Sequence, residues 1–175
     1  MTYWDKPSTH QTLTPGELLR LYASGKRGFI GIDLQGANLE SANLKGLLLW
    51  QANLAGANLR RANLSQTHLF ANLNGANLSQ TDLSSAKLQY ANLRDANLRG
   101  AKFFKTNLKG ADLRGANLSH AKFAYADLTE ADLRGVDLSQ SVLFSVTLSR
   151  AHIEGIDFGD TTLVRTSLRD AIEWG

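Results

Sequence analysis

The sequence has no cysteine, only two prolines and no long apolar run. Without Cys, the chain cannot form disulfides, thiolate nucleophiles or zinc-thiolate sites. No segment approaches the roughly 18 apolar residues that a bilayer-spanning helix needs, and residues 1–19 lack the apolar core of a secretory signal. For these 175 residues, with a net charge of +3, we therefore expect one cytoplasmic domain that makes no contact with a membrane.

Leucine is in excess, with 30 of the 175 residues, whereas Ile, Val and Met are scarce. An apolar residue recurs every five positions from Phe29 to Leu69, and again from Leu73 to Leu168 after one interval of four. These 29 centres comprise 24 Leu, four Phe and Ile153. The residue two positions before the centre is mostly Ala, and the residue between them is mostly Asn or Asp.

A period of five fits neither regular helix nor regular strand. On a helix, the Leu residues would spiral over every face, and on a strand they would alternate between opposite sides. Each unit must therefore turn the chain, so that every Leu and every Ala points toward a common axis. The spacing predicts a solenoid with one short side per unit.

Tandem Ala-Asn-Leu units carry a resemblance to a known family. Examples are Ala52-Asn53-Leu54, Ala57-Asn58-Leu59 and Ala116-Asn117-Leu118. The pattern resembles the pentapeptide-repeat family, and in particular its cyanobacterial members. The resemblance implies an all-β solenoid, a right-handed quadrilateral β-helix with four repeats per coil and about seven coils. We divide the chain into an N-terminal segment with a capping helix (1–26), the β-helix (27–171) and a C-terminal tail (172–175).

Both ends of a solenoid expose core and strand edges that need a cover. At the N-terminus, Thr14, Pro15 and Glu17 have the pattern of an N-cap, a first-turn proline and a capping box. A helix over 15–23 is expected, with Leu19 and Tyr22 as its contacts to the first coil.

The C-terminal end leaves two alternatives open. Ile172 and Trp174 either fold back over the last coil or contribute to an end-to-end homodimer, which some relatives are said to form. A measurement of mass in solution distinguishes the two.

Outward apolar residues form two columns. Ile30, Trp50, Phe70 and Tyr90 are spaced by twenty, and Leu48 joins them from a neighbouring outward position. The second column consists of Phe104, Ala124, Phe144 and Val164. Large exposed apolar patches usually mark contacts, so the columns are candidates for a partner surface. Packing between coils, or cover by residues 1–12, is the alternative explanation.

Charged residues also recur at twenty-residue spacing. Asp112 and Asp132 accompany Arg94, Arg114 and Arg134 on one side. The set can be an interleaved ladder of ion pairs, an anion-binding strip or a catalytic carboxylate pair. The ladder is the interpretation that the spacing favours.

No pattern predicts a catalytic, cofactor or metal site. The four His residues are scattered, and the glycines recur at the turn positions of the repeat, where positive φ is useful. We therefore expect a non-enzymatic scaffold that presents a rigid surface to an unidentified protein.

Charge distribution bears on the alternative function. Some members of the family are understood to protect DNA gyrase by imitating DNA, so an inhibitor or protector of a nucleic-acid enzyme is the alternative. Residues 90–125 carry a net charge of +5, and residues 126–175 carry −5. The cations of residues 90–125 form a basic belt, and this positive charge argues against DNA mimicry. The cations are spread around the sides of the coil, which argues against nucleic-acid binding.

Overall fold

The computed structural model describes residues 11–172, which form one short helix followed by a stack of coils. Its regular elements are β1 (Gln11–Thr12), α1 (Pro15–Ala23), β2 (Ile32–Asp33), β3 (Lys102–Phe104), β4 (Lys122–Ala124), β5 (Val142–Phe144) and β6 (Thr162–Val164). The remaining coils pair through single parallel bridges, one in each pentapeptide except the unit at Phe158.

Successive coils align in parallel with four pentapeptides each, so that the stack has four faces. Each face is named after one residue, and its bridge positions are as follows. The Trp50 face contains Gly28, Leu48, His68, Lys87, Asn107, Asp127, Thr147 and Ser167. The Arg114 face contains Asp33, Asn53, Asn72, Asn92, Asp112, Asp132, His152 and Ile172. The Asn97 face contains Asn38, Asn58, Asn77, Asn97, Asn117 and Asp137. The Phe104 face contains Asn43, Asn63, Asp82, Lys102, Lys122, Val142 and Thr162.

Each pentapeptide turns a corner through a four-residue β-turn. In the unit at Leu34, the Ala37 amide donates to the Leu34 carbonyl at 3.0 Å, and the third residue, Gly36, has φ +64°. Positive φ at this position is typical of type II turns and favours glycine. At Gly115, a Cβ would come within 2.5 Å of the Asp95 carboxylate. The predicted role of the turn glycines is confirmed at both positions.

The residue types of the repeat follow from this geometry. The Leu centres and the Ala residues two positions before them point inward, and from Leu44 to Ile153 all centres are at most 3% exposed. The intervening Asn points outward, where Asn53 accepts from the Ala55 amide at 3.2 Å and donates to Asp33 in the preceding coil at 3.0 Å. Asn thus stabilises both the corner and the coil-to-coil ladder.

The shortened interval between Leu69 and Leu73 tightens one corner without changing the order of faces. Bridges that cross the interval connect residues 19 apart, as in Asn53 with Asn72, and later bridges return to a spacing of 20, as in Asn72 with Asn92. The order of the faces is therefore the same on both sides of the shortened interval.

Strands β3 to β6 form a regular four-stranded parallel sheet on the Phe104 face. Beneath it, the rings of Phe103 and Phe123 stack in adjacent coils, with centroids 4.3 Å apart and planes within 3° of parallel. These rings belong to repeat centres twenty residues apart, so the alignment of successive coils brings them together.

Helix α1 spans the predicted residues, and its capping box is present: the Glu17 amide donates to the Thr14 hydroxyl at 3.2 Å, and the Thr14 amide donates to the Glu17 carboxylate at 2.8 Å. The predicted contact of Leu19 is wrong, because Leu19 is 37% exposed and Leu18 is fully buried. Leu18 and Tyr22 are four residues apart and share a helical face, whereas Leu19 is rotated by about 100°. Tyr22 packs against the core as expected.

Candidate interaction surfaces

The Trp50 face presents the first apolar column to solvent. Ile30 is 63% exposed, Trp50 is 44% exposed and Tyr90 is 60% exposed. Leu48 and Phe70 are half-buried. Neighbouring coils therefore leave a substantial part of the column uncovered. Cover by residues 1–12 stays untested, because residues 1–10 lie outside the described residues.

Aromatic contacts connect the middle of this column. The Trp50 ring lies edge-on to Phe70, with centroids 6.0 Å apart, and stacks on the imidazole of His68 at the same distance with planes 12° apart. The sequence reasoning missed His68 because that residue stands at the bridge position rather than the corner. The proximity of positions 48 and 68 in successive coils was the available signal.

Burial and the charge of Lys87 lower the pKa of His68 below its usual value. The Nδ1 atom of His68 is buried without a hydrogen-bond partner within the described residues. Protonation of His68 is disfavoured because it would place a charge on a partly desolvated ring and near the ammonium of Lys87.

Tyr90 differs from the other members of the column in its corner position. Ile30, Trp50 and Phe70 directly follow their centres, whereas Tyr90 is two residues after Leu88 because of the shortened interval. Its backbone has φ +58°, and its ring lies over Gly110, where a Cβ would come within 2.5 Å of a ring carbon. The expectation of four equivalent positions at a spacing of twenty is therefore wrong for Tyr90, although this residue lies on the same face.

The second apolar column lies on the Phe104 face with a larger cluster than the sequence indicated. Phe104 is 44% exposed, Val164 is 38% exposed, and Ala124 and Phe144 are half-buried. The structure adds Tyr125, which is 53% exposed. Its ring lies edge-on to Phe104 at 6.0 Å and to Phe144 at 5.4 Å. Sequence reasoning missed Tyr125 because no other aromatic residue stands twenty positions away from it.

The Arg114 face contains the interleaved ion pairs that the ladder interpretation predicts. Arg114 binds Asp112 through Nε at 2.9 Å and Nη2 at 2.5 Å, and Arg134 binds Asp132 at 2.9 and 2.6 Å. Arg114 also lies 3.4 Å from Asp132, and Arg94 lies 4.0 Å from Asp112. The two carboxylates thus occupy the donors that an anion-binding strip would need.

The pKa of Asp132 reflects this ladder. Burial alone would raise its pKa, but hydrogen bonds from Arg134 and the charges of Arg134 and Arg114 outweigh burial and lower it. Hydrogen bonds to Asp112 raise the pKa of Arg114 above its ordinary range. Both groups are therefore charged at neutral pH, and neither has the perturbed pKa near 7 that general acid–base catalysis favours.

At the C-terminal end, Ile172 continues the ladder. Its amide donates to the Ala151 carbonyl at 2.8 Å, and its carbonyl accepts from Ile153 at 3.2 Å. The fold-back expected of Ile172 is therefore wrong, because its backbone hydrogen bonds hold it at the bridge position. Trp174 lies outside the described residues. Phe158, Leu163 and Leu168, the centres of the last coil, are half-buried, and dimerisation through this end stays a prediction.

Metal-binding groups and membrane-spanning helices are both absent from residues 11–172. No group of three His, Asp or Glu side chains in this part of the chain could hold a metal ion. His68, His120 and His152 lie on three different faces. No helix in the same range is long and apolar enough to cross a membrane.

Comparison with solved structures gives several matches, of which the first named here supports the fold. Trypsin-treated QnrB1, a plasmid-mediated fluoroquinolone resistance protein, matches with a TM-score of 0.52 and 14% identity over 85% of this chain and 92% of that chain. HetL from the cyanobacterium Nostoc sp. strain PCC 7120, which is involved in heterocyst differentiation regulation, is 28% identical over 93% of this chain and 94% of its own, with a TM-score of 0.41. A pentapeptide repeat protein of the Arabidopsis thaliana thylakoid lumen is 28% identical with a TM-score of 0.45, and the match covers 55% of this chain and 64% of that chain.

Comparison of the sequence identifies the family. A comparison with curated proteins gives no significant match. The family model for pentapeptide repeats matches residues 32–69, 70–100 and 101–140, which is more than half of the chain. The chain therefore belongs to the pentapeptide repeat family, whose fold is a right-handed quadrilateral β-helix.

Proposed function

We propose that this protein is a non-enzymatic scaffold that presents the Trp50 face to a protein partner. The observation that carries the proposal is the exposure of Ile30, Trp50 and Tyr90 on one face of a rigid stack. Large exposed apolar patches on soluble proteins usually mark contact sites. Trp and Tyr are also enriched among the residues that dominate binding energy at protein interfaces.

The β-helix supports this role through its stiffness. Around Trp50, the Gly31 amide donates to the Trp50 carbonyl at 2.8 Å, and the Gln51 amide donates to the Phe70 carbonyl at the same distance. The backbone on both sides of the column is thus held before any partner arrives. A preorganised surface loses less conformational entropy on binding than a flexible one.

The alternative function, DNA mimicry directed at an enzyme such as DNA gyrase, has less support. A mimic needs a surface that is negative along its length, and this chain has four cations on the Phe104 face: Lys102, Lys105, Lys122 and Arg165. The QnrB1 match, at 14% identity, extends only to the fold.

The proposal is tested by charge insertion into the column. The variant Trp50→Glu, Phe70→Glu places two carboxylates in the apolar surface, and quantitative affinity capture followed by mass spectrometry compares its bound proteins with those of the wild type. We expect at least one abundant partner to be lost. The matched control is Gln35→Glu, Ala55→Glu, which adds two Glu at the same corner position of the adjacent Arg114 face.

Far-UV circular dichroism and urea unfolding establish that both variants fold. Loss of a partner from the column variant but not from the control supports the proposal. An identical set of partners for folded wild type, variant and control contradicts it. Dose-dependent inhibition of gyrase supercoiling by the wild type would favour DNA mimicry instead.

A further inference from the structure

The Phe104 face carries two lysines that form no ion pair within the described residues. Lys102 and Lys122 stand opposite each other in adjacent strands, and both side chains are exposed. Like charges in directly opposed positions destabilise a sheet. None of the ion pairs within residues 11–172 includes either lysine. The repulsion between these two lysines lowers the stability of the isolated protein, and a bound anion would relieve it.

Two further cations of this face lie against aromatic rings. The ammonium of Lys105 is 5.3 Å from the centre of the Phe104 ring, and the guanidinium of Arg165 is 5.9 Å from the Phe144 ring. Neither takes part in an ion pair within the described part of the chain. The aromatic cluster is thus flanked by positive charge, and Phe104 and Tyr125 between these cations remain about half exposed.

The surroundings limit the size of a ligand for this face. No carboxylate occurs in the pentapeptide segments 102–105, 122–125, 142–145 and 162–165, which form the face from β3 to β6. In the preceding coil, Asp82 stands opposite Lys102, but the two form no ion pair within residues 11–172. The adjacent Asn97 face carries exposed Asp137, Asp157 and Asp160 beside the last two coils, and Asp127 stands on the Trp50 side. A long polyanion would run over these acids and be repelled. Four strands spaced about 4.8 Å apart span only about 15 Å, which is enough for a short segment.

We infer that the Phe104 face binds a short acidic segment of a partner protein that combines carboxylates with an aromatic or large aliphatic side chain. The carboxylates pair with Lys102 and Lys122, and the apolar side chain packs on Phe104 and Tyr125. This inference rests on the proposed function in one respect only, namely that the chain acts through its surface as a binding scaffold. It concerns a different face from the Trp50 column, so the two are separable by mutation.

Fluorescence anisotropy with a labelled twelve-residue peptide of alternating Glu and Leu that contains one central Phe tests the inference. A second peptide has Gln in place of every Glu, and a third probe is single-stranded oligothymidine of equal length. We expect the acidic peptide to bind at low salt and to weaken as salt is added, because exposed charges are screened. The Gln peptide is expected to bind at least about tenfold more weakly.

Variants assign the binding to this face. Lys102→Glu, Lys122→Glu is expected to weaken binding of the acidic peptide at least about tenfold, since two attractions become repulsions. The matched control Lys26→Glu, Lys87→Glu makes the same change in net charge outside the Phe104 face, using two exposed lysines, and is expected to change affinity less than about twofold. Tyr125→Ser is expected to weaken binding about fivefold through lost ring contact.

Three outcomes would overturn the inference: equal loss of binding in the two lysine double variants, equal affinity for the acidic and Gln peptides, or tighter binding of oligothymidine that is lost with Lys102 and Lys122. The last of these would assign the face to single-stranded nucleic acid. If the peptide does not bind but Trp50→Glu, Phe70→Glu still loses a partner, this inference fails and the proposed function stands. If the peptide binds and Trp50→Glu, Phe70→Glu loses no partner, this inference stands and the proposed function of the Trp50 face fails.

Discussion

Replacing one core leucine in the middle of the stack tests how the coils hold together. Leu78 is fully buried, with coils on both sides, and Leu78→Ala removes three carbon atoms. At about 0.8 kcal/mol for each buried carbon the transfer cost is about 2.4 kcal/mol. The cavity that remains raises the total to about 3–5 kcal/mol, because the neighbouring coils are held by backbone hydrogen bonds and relax little.

Leu168 provides the matched comparison, since this centre lies in the last coil and is half-buried. Leu168→Ala is expected to cost about 1 kcal/mol, and its effect should remain local, because each repeat contacts only its neighbours. Equilibrium urea unfolding followed by circular dichroism measures the free energy of unfolding for both variants. Hydrogen exchange locates the loss, which is expected across the stack for Leu78→Ala and in the last coil for Leu168→Ala. Equal losses at the two positions, or a loss below about 1 kcal/mol at Leu78, would refute this account.

Two further predictions concern titration. The pKa of Asp132 is lowered in the folded protein because Arg134 and Arg114 outweigh burial, so this carboxylate stabilises the fold above the unfolded-state pKa of about 4 and stops doing so as pH falls through its lower folded value. Urea unfolding midpoints, measured from pH 6 to pH 3, should show that the wild type is more stable than Asp132→Asn at pH 6. The difference between the two midpoints should shrink toward pH 3, and a difference that stays constant would contradict the ladder of ion pairs. Burial and then Lys87 lower the pKa of His68, so its NMR titration midpoint should lie below the ordinary value of about 6.5, and Lys87→Gln should raise it. Since the folded form binds its proton less readily, His68 should reduce stability as pH falls below about 6.5, and an unshifted midpoint would refute the packing against Trp50.

Sequence reasoning predicted the ends of the fold unequally. The capping box of Thr14 and Glu17 depends on residues three positions apart, so the sequence reveals it directly. Which leucine of α1 is buried against the first coil depends on how the helix is rotated about its axis. Leu18 and Leu19 are adjacent and equally apolar, and only the packing of α1 distinguishes them.

The candidate surfaces were likewise predicted only in part from the sequence. The twenty-residue spacing identified Trp50, Phe70 and Phe104, but it gave no indication that His68 stacks on Trp50 or that Tyr125 lies between Phe104 and Phe144. It also placed Tyr90 at the wrong corner position, because a single shortened interval changes the offset of every later residue. Contacts between coils depend on this register and on the side-chain rotamers, and a repeat of five residues constrains neither.

The sequence by itself determined that this protein is a solenoid, because a five-residue period buries every Leu and Ala only if each unit turns the chain. The four-sided, right-handed form of the coil was implied by the resemblance to the family, not by the spacing. The inward positions are specified by local spacing, and they are nearly all occupied as predicted. The outward positions face solvent, where many residue types are tolerated and the repeat imposes little. Only the tertiary structure decided which of them meet, and so only it grouped Lys102 and Lys122 with the exposed rings of Phe104 and Tyr125 on one face.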